Sequence, residues 1–258
     1  MPTNLDAMRE MSAGVRAMMF ACYVKACAPP PVGDGGSAGG HARRLAEQAI
    51  AQIKAAEGGR AGGPITKAMK SIAAAHGSKM LGLKYRIKGA KRTTAKVYER
   101  ARQSLVPGAR RKGDTKNTKA AEEKYVKEGL SDVLRFTMEV PEKGHVTHVK
   151  ESLKDLQKQG YKVLEVDNRW KSAKDLTPDD AYQGINCTVQ APDGTRFELQ
   201  FHTKTSFHTK DKLMHKDYEI VRGDTDATRA ERAAAAERMV DTASQIPIPD
   251  GIVGAKLL

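Results

Sequence analysis

The stretch from Ala181 to Thr203 constrains this chain more than any other. Ile185, Cys187 and Val189 alternate with polar neighbours, Pro192-Asp193-Gly194 is a turn signal, and Phe197, Leu199 and Phe201 alternate again. That is a β-hairpin. Its period of two puts the apolar side chains on one face and Arg196, Glu198, Gln200 and His202 on the other. A plain amphipathic hairpin leaves its polar face in water. A row of Glu, Gln and His beside a Tyr182-Gln-Gly-Ile-Asn186 run is more than such a hairpin needs.

The chain has 258 residues, room for one large domain or two small ones, and 40% of them are hydrophobic, enough for a packed core. Its three cysteines, Cys22, Cys27 and Cys187, give neither a disulfide framework nor a zinc spacing, which fits a reducing compartment. The net charge of +13 is uneven. Residues 1–131 hold 25 Lys/Arg against 10 Asp/Glu, a net +15; residues 132–258 hold 19 against 21, a net −2. A basic first half fits a polyanion: nucleotide phosphates, RNA or a membrane surface. No stretch is long and apolar enough for a transmembrane helix, and no signal peptide is expected, so the expected location is the cytosol of wherever the protein acts.

In chain order, the spacing predicts a helix within 1–28, a Pro/Gly-rich linker over 29–40, a helix over 41–57 and a second linker over 58–64. Residues 1–64 thus read as a helical, flexible N-terminal extension, and 65–258 as the main domain with a C-terminal helix. A helix is expected at 65–76. Leu83, Tyr85 and Ile87 alternate with Lys84, Arg86 and Lys88, which predicts a short basic strand, a turn at Gly89 and a helix from Ala95 capped by Thr93 or Thr94. Strand, glycine turn, helix start and cations together favour an anion. Residues 107–117, with Arg110-Arg-Lys112, read as a basic loop, followed by a helix at 118–128. A strand over 130–140, a helix over 146–159 and a strand over 161–166 predict a β-α-β unit. Helices over 208–222 and 225–243 follow the hairpin. His145 and His148 read as surface residues.

Two acids stand out. Asp132 begins one strand and Glu198 lies in another, so neighbouring strands would face both carboxylates to one cleft. Such oxygens suit Mg²⁺, which takes one or two carboxylates and completes its shell with water and phosphates. Arg86, Lys88 and Lys96 would clamp phosphates, Glu198 or Asp132 would serve as general base, and Tyr182 offers a flat face to a nucleobase. The residues alone point to a Mg²⁺-dependent enzyme acting on nucleotides.

The order Arg86-x-Lys88…Lys96, Ser131-Asp-Val-Leu-Arg135, Tyr182-Gln-Gly-Ile-Asn186, Phe197-Glu-Leu-Gln-Phe-His-Thr203 and His215-Lys-Asp-Tyr218 resembles the synthetase domain of the RelA/SpoT family, over roughly residues 65–222. It looks most like the small single-domain members found as bacterial toxins. The resemblance implies an α+β fold, a mixed β-sheet flanked by helices in a nucleotidyltransferase-like arrangement. It implies transfer of the β,γ-pyrophosphate of ATP to the 3′-hydroxyl of a purine nucleotide, with AMP leaving and Mg²⁺ as cofactor. Arg86, Lys88, Lys96 and Arg135 would hold ATP, Asp132 would bind Mg²⁺, and Glu198 would activate the acceptor or share the metal. Tyr182 would stack on the acceptor base, with Asn186, Gln200, His202 and His215 lining the site. The family often has Gly-Tyr-x-Ser-x-His where this chain has Ala181-Tyr-Gln-Gly-Ile-Asn186, Arg where it has His202, and Ser where it has Arg92. These departures bear on the acceptor, which is a guanosine nucleotide, an adenosine nucleotide or the tRNA 3′ end in the wider family. A non-catalytic RNA-binding module is the reading from another class. No His-Asp dipeptide, the mark of the companion hydrolase domain, occurs in the chain, so synthesis alone is expected, with a toxin role and a neutralising antitoxin or immunity partner.

Overall fold

The computed structural model describes residues 37–105, 115–223 and 225–258. The helix expected within 1–28 and most of the loop with Arg110-Arg-Lys112 lie outside them.

The centre is a five-stranded mixed sheet: β1 (Lys79–Leu81), β2 (Arg135–Glu139), β3 (Lys162–Asn168), β4 (Ile185–Gln190) and β5 (Arg196–His202), in spatial order β1-β2-β5-β4-β3. The hairpin forms as expected. β4 and β5 pair antiparallel from Ile185↔Phe201 to Gln190↔Arg196, and the turn closes through Ala191 N donating to Thr195 O, with Gly194 at φ 88°. β5 also pairs in parallel with β2, from Arg135↔Glu198 to Glu139↔His202. The β2-helix-β3 unit is present, but its strands are not neighbours, because the hairpin inserts between them.

One face of the sheet is the core. Phe136, Met138, Ile185, Cys187, Val189, Phe197, Leu199 and Phe201 are all buried, and Phe136 and Tyr161 meet Phe197 edge to face at 5.6 and 6.1 Å. Helix α5 (His145–Lys158) presents Val149, Leu153 and Leu156 there, three- and four-residue spacings on one stripe. Each such side chain contributes about 1.5–3 kcal/mol by leaving water. Helix α2 (Pro64–Ala75) adds Ile65, Met69 and Ile72.

Helix α1 (Ser37–Glu57) begins within the expected linker and packs Ala42 and Ile50 with Val97, Leu130 and Val133. At its end the buried Glu57 carboxylate accepts from Ile65 N and Thr66 N at 2.8 Å and from Thr66 Oγ1 at 2.6 Å, satisfying orphan donors of α2 that no cap side chain serves.

The expected strand at 83–88 is not one. Gly82 turns the chain at φ 59°, Leu83–Tyr85 form a 3₁₀ turn, and only an Ile87–Leu134 bridge touches the sheet; the strand is β1, just upstream. Helix α3 (Ala90–Ser104) starts straight after Gly89, so Thr93 lies inside it and donates back to Gly89 O at 3.1 Å. Helix α4 is Thr115–Glu128. The helix expected at 208–222 is three pieces: α6 (Lys204–His208), a π-turn over Thr209–Leu213 and α7 (His215–Arg222). Helix α8 (Arg229–Ser244) opens with a Thr228/Glu231 capping box. Ile246, Ile252 and Leu257 return the tail to the core, and Asn168 Nδ2 donates to Ile252 O at 2.8 Å.

Candidate active site

The second face of the sheet is polar, and the strand register arranges it. One row reads Thr188, Glu198, Arg135 across β4, β5 and β2; the next reads Asn186, Gln200, Thr137. Asp132 lies in the lead-in to β2, three residues before the strand begins. Lys88, just before the Gly89 turn, and Lys96, on the second turn of α3, both donate to its Oδ2, at 2.5 and 2.6 Å. Burial works against Asp132's charge, but the two ammonium groups outweigh it and hold its carboxyl below the usual carboxylate range. Burial lowers Lys88 in spite of Asp132 and Glu198, whereas for Lys96 the charge and hydrogen bond of Asp132 prevail over burial and raise it. Asp132, Glu198, Lys88, Lys96 and Arg135 are thus brought into one electrostatic neighbourhood.

Arg86 is not. Its guanidinium donates to Glu57 O from Nε (3.2 Å) and Nη2 (2.5 Å), to Gly59 O (2.7 Å) and to Leu83 O (2.8 Å). With four of five N–H groups taken by backbone, Arg86 braces the α1–α2 connection, and its placement does not support the phosphate contact expected of it. His215 also stands apart: it is exposed on the first turn of α7, 3.4 Å from Glu219 Oε1, which lies 3.6 Å from Arg92 of α3.

Tyr182, Asn186 and His202 form one hydrogen-bonded chain, with His202 buried and the other two half-buried. Tyr182 Oη lies 2.8 Å from Asn186 Oδ1 and 2.8 Å from His202 Nε2; His202 Nδ1 lies 2.9 Å from Ser206 Oγ. The arrangement that satisfies every group has Ser206 donating to Nδ1, Nε2–H donating to Tyr182, and Tyr182 donating to Asn186. It needs a neutral imidazole, which burial, then Lys210, secures by pulling the His202 pKa well down. Burial likewise drives the Tyr182 phenol well up. His202 fills the space where a side chain on residue 184 would begin: a Cβ there would lie 2.6 Å from its Cε1. Gln183 anchors the segment by pairing its amide with the backbone of Lys171, accepting at 3.0 Å and donating at 3.1 Å.

Lys210 was not legible in the sequence. It projects from the π-turn, donates to Gln200 Oε1 at 3.1 Å, and sits 5.9 and 5.1 Å from the ring centres of Tyr182 and Phe207. Burial and then Arg135 bring its pKa down to about 8. His145, expected on the surface, is buried against Trp170, and burial lowers its pKa to about 4.

Among the described residues no group of three or more His, Cys, Asp or Glu converges as a metal cage, and no helix is long and apolar enough to cross a membrane. Two carboxylates with substrate phosphates are the set that Mg²⁺ uses. Asp132 fits: it is held ionised, both lysines use Oδ2, and no described residue bonds Oδ1.

No protein-family model and no curated protein sequence matches the chain. Among solved structures it is similar to the type VI effector Tas1 in complex with its immunity protein, at 20% identity over 78% of this chain and 92% of that one, TM-score 0.40. It is similar also to small alarmone synthetase 1 from Bacillus subtilis bound to its product pppGpp (14%, 78% and 88%, 0.41) and to a GTP pyrophosphokinase family protein from Streptococcus pneumoniae (15%, 78% and 85%, 0.39).

Proposed function

We propose that the protein is a Mg²⁺-dependent pyrophosphokinase that moves the β,γ-pyrophosphate of ATP to the 3′-hydroxyl of a purine nucleotide, giving (p)ppGpp- or (p)ppApp-type products. The observation that carries this is the Lys88–Asp132–Lys96 cluster beside the Arg135/Glu198 row. It keeps both charge signs side by side, as a site binding phosphates with their metal requires. The motif order along the chain supports the same reading.

In this reading Lys88, Lys96 and Arg135 hold the donor phosphates. Asp132 would hold Mg²⁺, which would supply charge neutralisation at the phosphoryl oxygens and leave Glu198 to the acceptor. Glu198 takes the proton of the acceptor hydroxyl; the 3′-oxygen then bonds to the β-phosphorus as the bond to the AMP oxygen breaks. Tyr182, fixed by Asn186 and His202, gives its ring to the acceptor base. An enzyme that drains ATP acts as a growth-inhibiting toxin in a bacterial cytoplasm and calls for a neutralising immunity partner.

The test is γ-³²P-ATP with Mg²⁺ and, in parallel, GDP, GTP, AMP, ADP, ATP and bulk tRNA, beside Asp132→Ala and Glu198→Gln. Label in a nucleotide spot, lost in both variants, supports the reading and names the acceptor. Label on tRNA alone shifts the acceptor to the 3′ end. No transfer to any of them overturns the reading in favour of a polyanion-binding module.

A further inference from the structure

Lys210 is a cation in an awkward place. It is partly withdrawn from water, faces Arg135, and among the described residues has no carboxylate within ion-pair distance; its neighbours are two aromatic rings and an amide oxygen. The backbone that puts it there is special as well. Thr209–Leu213 is a π-turn closed by Met214 N donating to Thr209 O at 2.9 Å, an irregularity that recurs at functional sites because it re-aims side chains.

What the ammonium touches is the informative part. Gln200 Oε1 receives Lys210 Nζ at 3.1 Å and Thr137 Oγ1 at 3.4 Å; the ammonium, which can only donate, fixes this end of the amide as oxygen. The nitrogen end therefore points along β5, where Nε2 donates to Glu198 Oε1 at 2.8 Å. A flipped amide would set its N–H groups against an ammonium and turn its oxygen on the carboxylate. We propose that Lys210 is a positioning residue: through the Gln200 amide it locks Glu198 Oε1 and leaves Oε2 as the oxygen offered to the cleft. The cation also polarises the amide, strengthening the hydrogen bond it makes to Glu198. The importance of this lock for transfer rests on the reading of Glu198 as the base; the lock itself does not.

The experiment has two arms, on wild type, Lys210→Met and Lys210→Arg. In ¹⁵N–¹H spectra the Gln200 side-chain NH₂ of the wild type gives two separate signals slow to exchange with water. Lys210→Met makes them exchange at least tenfold faster, and Lys210→Arg keeps them slow. In the transfer assay Lys210→Met lowers kcat by roughly 10- to 100-fold, the range expected when a reacting group is misaligned. The acceptor KM stays within about threefold of wild type, and Lys210→Arg restores most of kcat. An unchanged amide in Lys210→Met overturns the lock. A raised KM with kcat intact, growing with the number of acceptor phosphates, overturns it in favour of a phosphate-binding role. Should Lys210→Met not fold, Lys210→Ala removes both the charge and the donor and is read the same way. If the wild type transfers nothing, the pyrophosphokinase reading falls, while the amide signals still decide the lock.

Discussion

Adding one carbon at Gly184 tests the hydrogen-bonded chain that sets Tyr182. A Cβ on residue 184 would stand 2.6 Å from His202 Cε1, 2.9 Å from Tyr182 Oη and 3.0 Å from His202 Nδ1. Carbon contacts are comfortable at about 3.5–4.0 Å, so the imidazole has to retreat by roughly 1 Å. It has nowhere to go: Nδ1 is held by Ser206, Nε2 by Tyr182, and the residue is fully buried. Overpacking of this kind costs about 1–3 kcal/mol, and one broken buried hydrogen bond adds about 1 kcal/mol. Gly184→Ala is therefore expected to lose about 2–3 kcal/mol in urea unfolding and to lower Tm by roughly 5–10 °C in a domain of this size. A double-mutant cycle locates the cause. In a His202→Ala background the two imidazole clashes are gone and only the 2.9 Å approach to Tyr182 Oη, now freed of its bond to Nε2, remains, so the cost of the methyl falls by more than half. Gly184→Ala with wild-type stability, or an equal penalty with and without the imidazole, would refute the packing described for this corner.

Glu57→Gln replaces a carboxylate that accepts three hydrogen bonds at the start of α2; about 1–3 kcal/mol of stability should be lost, with early amide exchange in the first turn of α2. His145 is buried neutral with its pKa lowered to about 4 from 6.5, so the unfolded chain binds its proton first and stability declines as pH falls from about 6.5 to 4. That decline is worth about 3 kcal/mol and is to be read as the difference in acid unfolding between wild type and His145→Gln. Asp132 is a carboxylate with a depressed folded pKa. Its contribution is complete above about pH 4 and disappears as pH falls through the folded value, so Asp132→Asn should destabilise at pH 7 and match wild type in strong acid.

Period-two alternation is a local signal, and it identified the inward residues of the hairpin; three-and-four spacing did the same for the inward stripe of α5. What stayed hidden depends on partners distant in the chain. Nothing in residues 135–139 says that they pair with 198–202 and not with β3, which follows one helix later. Alternation at 83–88 suggested a strand, but Gly82 in the left-handed region had already turned the chain, and the same turn region directs Arg86 onto carbonyls of the α1–α2 connection. Lys210 was invisible because a lysine within a helical stretch carries no signal of what it will meet; the π-turn that sets its direction and the Gln200 amide that receives it belong to the fold.

The strand order has one more consequence. Lys88, Lys96, Asp132 and Arg135 all precede β3, whereas Glu198, Gln200 and Lys210 all follow it, and the two sets meet only where β5 slots in beside β2. Neither portion of the polypeptide holds the polar row by itself. On the proposed function, a chain severed between β3 and β4 is therefore expected to lack activity in either piece alone.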